Sequence, residues 1–509
     1  MRWNPLVLLA FSLGASAIPP TDVGYDLLFA DTPKEVEQEC TDAPGLPSFF
    51  NGNFYISGPA MFSIGGMKFR CALDAFGKIN KFELANKQVC FSAKMLRTGF
   101  YNDSIKANTV APGLLFLGTD PPRKCPFYNP MCNMLDSQGD NNYVNTLKLG
   151  DDYTLISDTS LMLDFDPKSL RVLGHRKFKE KSWVHKLHIG ALGSAHPLKP
   201  QEGNFWVELL MEAPMMGKSY LDIYKMSNND NGRVRTLIRS IQTNNTQYMH
   251  SFGMTKNYVI LPFNLALDMM KAMPPHPPTM ENAFVPDWNG IHVVSLDNGE
   301  VQKFDLEPFF HVHVANSYEN ETGIVFDISQ FKSNPFKGAS VDMKLQLNAT
   351  VRDNNDNLGE LKRHHLHLAG PLKGQVTTEM ISIPGRSTDF IKINDKYSGV
   401  HYCVYYANEW KHDDQHYASM AVLKHNLCTG ERQYWYQEGW YPSEPFFVSG
   451  SENTEDEGSL VFTALHGATG KSHLVTIDAQ TMAEQVKVEL SARIAFTAHG
   501  EYFPNKSEL

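Results

Sequence analysis

The chain has 509 residues, a formal net charge of −10 and an ordinary apolar content of 42%. That charge argues against a phosphate-binding face and excludes nucleic acid as a partner. Glycine, proline and aromatic residues are plentiful, which suits many short strands joined by tight turns rather than a helical bundle.

The N-terminus reads as a secretory signal. Arg2 supplies the positive start, Leu6 to Leu13 a short apolar stretch, and Ala15-Ser16-Ala17 a small-residue cleavage site. This predicts a signal peptide over residues 1–17 and one domain over 18–509. The apolar stretch is too short for a membrane span, and no later segment offers the ~18 apolar residues that a span needs. Sequons at Asn102, Asn244, Asn320, Asn348 and Asn505 fit a luminal glycoprotein. The closing Lys506-Ser507-Glu508-Leu509 is one letter from an endoplasmic reticulum retrieval signal. Together these predict the lumen of the endoplasmic reticulum and a retrieval receptor as a partner, with secretion as the alternative. Seven cysteines follow, and some should pair in an oxidising lumen. Cys125 with Cys132 and Cys403 with Cys428 are candidate pairs, and the odd count leaves at least one thiol over.

A weak unit recurs along the chain: an apolar strand, a polar turn, a second strand. Residues 161–175, 291–306, 420–436 and 473–490 are copies, each with turn formers between β-rich runs. Hairpins returning down a long chain predict an all-β fold of propeller type. The copies are too degenerate to count blades. A propeller brings residues distant in sequence to one axis, and its last blade closes on its first.

Among the nineteen histidines, His364, His365 and His367 suit a solvated strand face, and His412 and His416 a solvated loop. Four others have small or aromatic neighbours beside strand-like runs: His196 in ALGSAHPL, His250 in QYMHSF, His313 in FFHVHVANSYE and His499 in AFTAHGEYF. These four segments, with YPSEPFFVS at 441–449, resemble the motifs of the carotenoid cleavage oxygenase family. The match runs from about Phe50 to Pro504. His313 is preferred over His311 because His313-Val314-Ala315-Asn316 carries the family's His-x-x-Asn spacing.

The resemblance implies a seven-bladed β-propeller with an axial iron site and a helical or loop cap over a substrate tunnel. It implies His196, His250, His313 and His499 as ligands of one Fe(II) per chain, with O₂ as co-substrate. Neutral imidazole suits Fe(II), and outer carboxylates should hold the rings by their other N–H groups. The family's supporting carboxylates fall on Glu444, Glu484 and Asp158. Asp158 stands where the family has glutamate, and being one methylene shorter it is expected to need a water to reach its histidine. Ser157 and Tyr248 are implied tunnel residues. In LPFNLALDMMKAM, residues Phe263, Leu265, Leu267, Met269, Met270 and Met273 are implied to form an apolar entrance in peripheral contact with a membrane. RCALDAFG (70–77) and PPRKCPFYNP (121–130) depart from the family pattern, outside the metal set. The implied activity is oxidative cleavage of a C=C bond of a carotenoid or apocarotenoid to aldehydes. The same metal set would serve a redox-neutral retinyl ester isomerohydrolase, and a non-enzymatic carotenoid or retinoid binder is the third possibility.

Overall fold

The computed structural model describes residues 20–135, 138–179, 191–212, 218–272, 279–451 and 453–505. The expected signal peptide, its cleavage site and the C-terminal tetrapeptide lie outside them. The described strands form nine antiparallel sheets, seven of them with four or five strands. All four hairpins read from the sequence are present. They pair Leu163–Phe165 with Val172–His175, Ile291–Ser295 with Val301–Phe304, Ala421–Asn426 with Arg432–Trp435, and Lys471–Asp478 with Glu484–Glu489. Each is the outer pair of a larger sheet.

The larger sheets follow one another around a closed ring, and an apolar core lies between each and the next. Ile260 and Val293 of one sheet pack on Phe326 and Ile328 of its successor. Val404 and Val422 meet Leu460 and Val475. At the closure, Val461 and Leu474 meet Phe54 and Phe82. The C-terminal strand Gly500–Pro504 pairs with Gly52–Met61 in the first sheet of the ring, so the chain ends sew the propeller shut. These strands are rich in β-branched and aromatic residues, whose bulk fills the space between sheets.

The other two sheets are small and belong to a roof. One joins Ser63–Ile64, Met67–Phe69 and Thr119–Asp120, and the other Thr246–Gln247, Leu265–Leu267 and Phe284–Pro286. Short helices complete it. Gly99–Ala107 is capped by Thr98, whose hydroxyl accepts from the Tyr101 amide, and Ala349–Asp353 is capped likewise by Asn348. Three disulfides join Cys40–Cys90, Cys125–Cys132 and Cys403–Cys428, and Cys71 is a buried free thiol. Both expected pairs are present, and Cys40–Cys90 links facing residues of adjacent strands. Among the described residues, no helix is long and apolar enough to cross a membrane.

Candidate metal centre

Each histidine of the expected set lies on or beside an edge strand of a different sheet. His196 follows Ala191–Gly193, His250 precedes Gly253–Met254, His313 lies within Phe310–Glu319, and His499 precedes Gly500–Pro504. The strand bearing His313 is bulged there: His311 faces Gln330, but Val314 faces Ile328, so one extra residue is accommodated. The four rings converge, with one ligand nitrogen of each within 4.8 Å of all the others. Among the described residues this is the one group of metal-ligating type. His196 Nε2 and His250 Nε2 are 3.2 Å apart, and His313 Nε2 and His499 Nε2 3.1 Å apart.

Three rings are held from behind. His250 Nδ1 lies 2.7 Å from Asp158, His313 Nδ1 2.7 Å from Asp389, and His499 Nδ1 2.8 Å from Glu444. A carboxylate only accepts, so each of these Nδ1 atoms donates and each Nε2 turns a lone pair inward. Facing lone pairs at these distances repel unless a cation lies between them. The arrangement therefore fits a divalent ion with a preference for nitrogen donors, and Fe(II) meets that requirement. Burial, followed by the neighbouring imidazoles, holds His196 and His499 well below the usual histidine range. Both rings are thus neutral, as ligands must be.

Two expectations about the carboxylates are corrected. Asp158 needs no water. The turn that carries it is pinned to the adjacent sheet, with Gly193 donating to the Asp158 carbonyl and Thr159 bridged to Leu192. That approach of the backbone makes up for the missing methylene. Glu484 is not part of the centre. It begins the outermost strand of its sheet, where Trp435 Nε1 donates to it at 2.8 Å and Lys487 pairs with it at 2.7 Å. The third carboxylate is Asp389, in the edge strand Ser387–Lys392. Sequence reasoning missed it, although an isolated acid in the run TDFIKI is the signal that a buried, partnered carboxylate leaves. With that correction, each of the seven larger sheets supplies one group to the centre: four give a histidine, and three give Asp158, Asp389 or Glu444.

Several other described histidines are engaged elsewhere. Asn264 donates to His311 Nδ1 at 2.7 Å, while His311 Nε2 faces the Ser251 carbonyl at 3.0 Å. His364 bonds Thr378, His412 bonds Glu409 and His416 bonds Asp413. Asn316 of the His-x-x-Asn spacing donates to the Tyr397 and Val400 carbonyls and so holds the loop that follows the strand Ser387–Lys392 of the next sheet.

A cavity of about 320 Å³ opens onto His250, His313 and His499. Its walls are mainly apolar, with Leu115, Phe116, Phe336, Trp410 and Phe496 among them. Phe390 forms a wall beside the centre, its ring 5.0 Å from that of His313 and 5.3 Å from that of His499. Ser157 lines the cavity and donates to Asn142 at 2.8 Å. Tyr248 stands behind the wall, edge-on to Phe336 at 5.1 Å. Burial, reinforced by neighbouring Asp158, keeps its hydroxyl protonated.

The expected apolar entrance is also corrected. Phe263, Leu265 and Leu267 are 1%, 2% and 4% exposed. Leu265–Leu267 is the middle strand of a roof sheet and packs on Tyr248 and Phe284, while Phe263 fills a core between two sheets. Met270 is 71% exposed. Met273 and the side chain of Met269 lie outside the described residues.

The family model described as "Retinal pigment epithelial membrane protein" matches residues 29–504. The carotenoid isomerooxygenase of Galleria mellonella is 23% identical, over 96% of this chain and 98% of its own. The β,β-carotene 15,15′-dioxygenase of Gallus gallus is 24% identical, over 90% of this chain and 94% of its own. Among solved structures, a glutamate-to-aspartate mutant of the Synechocystis apocarotenoid oxygenase superposes with a TM-score of 0.76 at 21% identity, covering 96% of this chain and 99% of that one.

Proposed function

The chain belongs to the Retinal pigment epithelial membrane protein family, and from that premise we propose an Fe(II)-dependent dioxygenase that cleaves one C=C bond of a carotenoid or apocarotenoid. One bond of the polyene and the O–O bond of dioxygen break, and two aldehydes form, each carrying one oxygen atom. The observation that carries this reading is four inward imidazole nitrogens, three of them backed by carboxylates, opening onto a mainly apolar cavity. Held by His196, His250, His313 and His499, an Fe(II) ion would supply the activation of dioxygen. The protein supplies the rest. Asp158, Asp389 and Glu444 fix the ring planes, the apolar walls exclude water, and Phe390 limits how closely a chain of conjugated carbons approaches the histidines.

The related proteins support the substrate class, being a carotenoid isomerooxygenase and carotene dioxygenases by name. Three disulfides support an oxidising secretory compartment, with the C-terminal tetrapeptide read by a retrieval receptor. Peripheral contact with a membrane would give access to an apolar substrate. It is supported by Met270 and by the disulfide-closed loop 125–132, whose Phe127 and Tyr128 are 95% and 77% exposed.

The test is product analysis. Iron-loaded protein is incubated with carotenoids, apocarotenoids and retinyl esters under ¹⁸O₂, and products are read by mass spectrometry. Labelled aldehydes are the expected result. Isomerised retinol without label would establish the isomerohydrolase reading instead, and unchanged substrate with iron bound would leave a binding protein.

A further inference from the structure

The carboxylates behind the histidines create a charge problem. Three of them around one divalent ion leave a net negative charge in a buried site, where uncompensated charge is unfavourable. One ammonium stands beside Glu444, one of the three. Lys392 Nζ is 3.7 Å from Glu444 Oε2 and 3.3 Å from Glu501 Oε1, and its side chain keeps 17% of its surface. Glu444 Oε1 is the oxygen that takes the His499 N–H, while its Oε2 also accepts from the Gly500 amide at 3.0 Å. Lys392 also borders a cavity of about 60 Å³ that touches His196, His313 and His499.

The sequence does not place Lys392 there by simple alternation. In the edge strand Ser387–Lys392, Asp389 faces Asn408 and Lys392 faces Tyr406. Three steps on this strand match two on its neighbour, so the strand carries one extra residue. Phe390, at φ +52°, turns the chain in the left-handed region. Asn408 and Tyr406 share a face, and so therefore do Asp389 and Lys392. Without the bulge, Lys392 would point to the opposite side of the sheet. One strained strand thus delivers the acceptor for His313 and the cation beside the acceptor for His499.

We propose that Lys392 is a positioning residue of the metal centre, whose ammonium, shared between Glu444 and Glu501, fixes Glu444 against His499 and offsets part of the negative charge beside the centre. Burial opposes the charge on Lys392, but Glu444, Glu501 and Asp395 outweigh it and hold the ammonium protonated above the usual lysine range. The inference rests on the reading of the four histidines as a metal centre.

The experiment compares wild type, Lys392→Met and Lys392→Arg. Each is assayed for Fe(II) stoichiometry, for the rate of iron release to a chelator, and for the visible spectrum of its Co(II)-substituted form. Thermal unfolding of the metal-free proteins separates stability from the site. Lys392→Met is expected to release iron about tenfold faster, at the lower end of outer-partner effects, and to shift the Co(II) bands. Lys392→Arg is expected to restore both. A Lys392→Met protein whose release rate and spectrum match wild type would overturn the inference, as would an arginine variant no better than methionine. A wild-type protein that takes up neither Fe(II) nor Co(II) would overturn the reading of the centre itself.

Discussion

His499 and Arg352 are both deeply buried, at 3% and 2% exposure, yet they are held in different ways. His499 adjoins an edge strand of the ring, and its partner Glu444 comes from the neighbouring sheet. To move it, two cores packed between sheets must shift. Arg352 lies in a five-residue helix of the roof. It reaches Asp22 at 2.6 Å, the Gln346 carbonyl at 3.0 Å and the ring of Tyr25 at 4.3 Å. These few contacts tie the N-terminal segment to the cavity wall. The centre is thus fixed by the whole ring, whereas the N-terminal segment is tied to the roof here through a few polar and ring contacts of one side chain. Changes in the roof should reshape the cavity or loosen the fold while sparing the metal set.

The sharpest break in this comparison is His499→Ala, which is expected to abolish Fe(II) binding, read as iron per chain. Full stoichiometry in that variant would remove His499 from the centre. Arg352→Met should act oppositely. It leaves the partly buried Asp22 without its partner, a change that costs at most about 3–5 kcal/mol, the range for a fully buried pair, seen as a lower midpoint in urea. Below that midpoint it should still bind one iron per chain. Loss of iron in the folded variant would show that roof and centre are coupled.

Next in size is a paired test of the carboxylates. Asp389→Asn should weaken Fe(II) binding about 10–100-fold, while Glu484→Gln should leave it unchanged. Equal effects from both would contradict the arrangement seen around His313.

The same contrast explains what the sequence made legible. The recurring hairpins are the outer strands of their sheets, where tight turns and alternating residues leave a local signature. The chemistry is carried by short or bulged inner strands and by the turns beside them. The histidines could be read there because each sits in a distinctive motif. Asp389 could not, since its role depends on a bulge and on a ring 76 residues away. Glu484 was misread because its local sequence resembles a supporting position, whereas strand order puts it at the far edge. The apolar run at 261–273 carries the composition of a membrane patch, but its strand Leu265–Leu267 pairs with Thr246–Gln247 on one side and Phe284–Pro286 on the other, which turns it inward. Exposure is decided by partners that the run itself does not contain.

The effect spread most thinly, over several pH units, concerns the roof and sharpens how it is held. Asp74 is 2% exposed and accepts from the amides of Phe116, Leu117 and Gly118 at 2.6, 3.0 and 3.1 Å, so it clamps a wall of the cavity. Burial raises its pKa and the three amides lower it, and burial prevails, leaving a value of about 7. The folded protein therefore binds a proton at Asp74 that the unfolded chain has already lost above about pH 4. With more protons on the folded state, stability falls as pH rises from about 4 to 7 and levels off above. One such group contributes a slope of at most about 1.4 kcal/mol per pH unit. Asp74→Asn should make the urea-derived stability less steep across that window by up to this amount, with iron stoichiometry unchanged. An unaltered slope would mean that the three amides hold Asp74 ionised despite its burial, so that the wall is clamped by a charge rather than by a neutral acid.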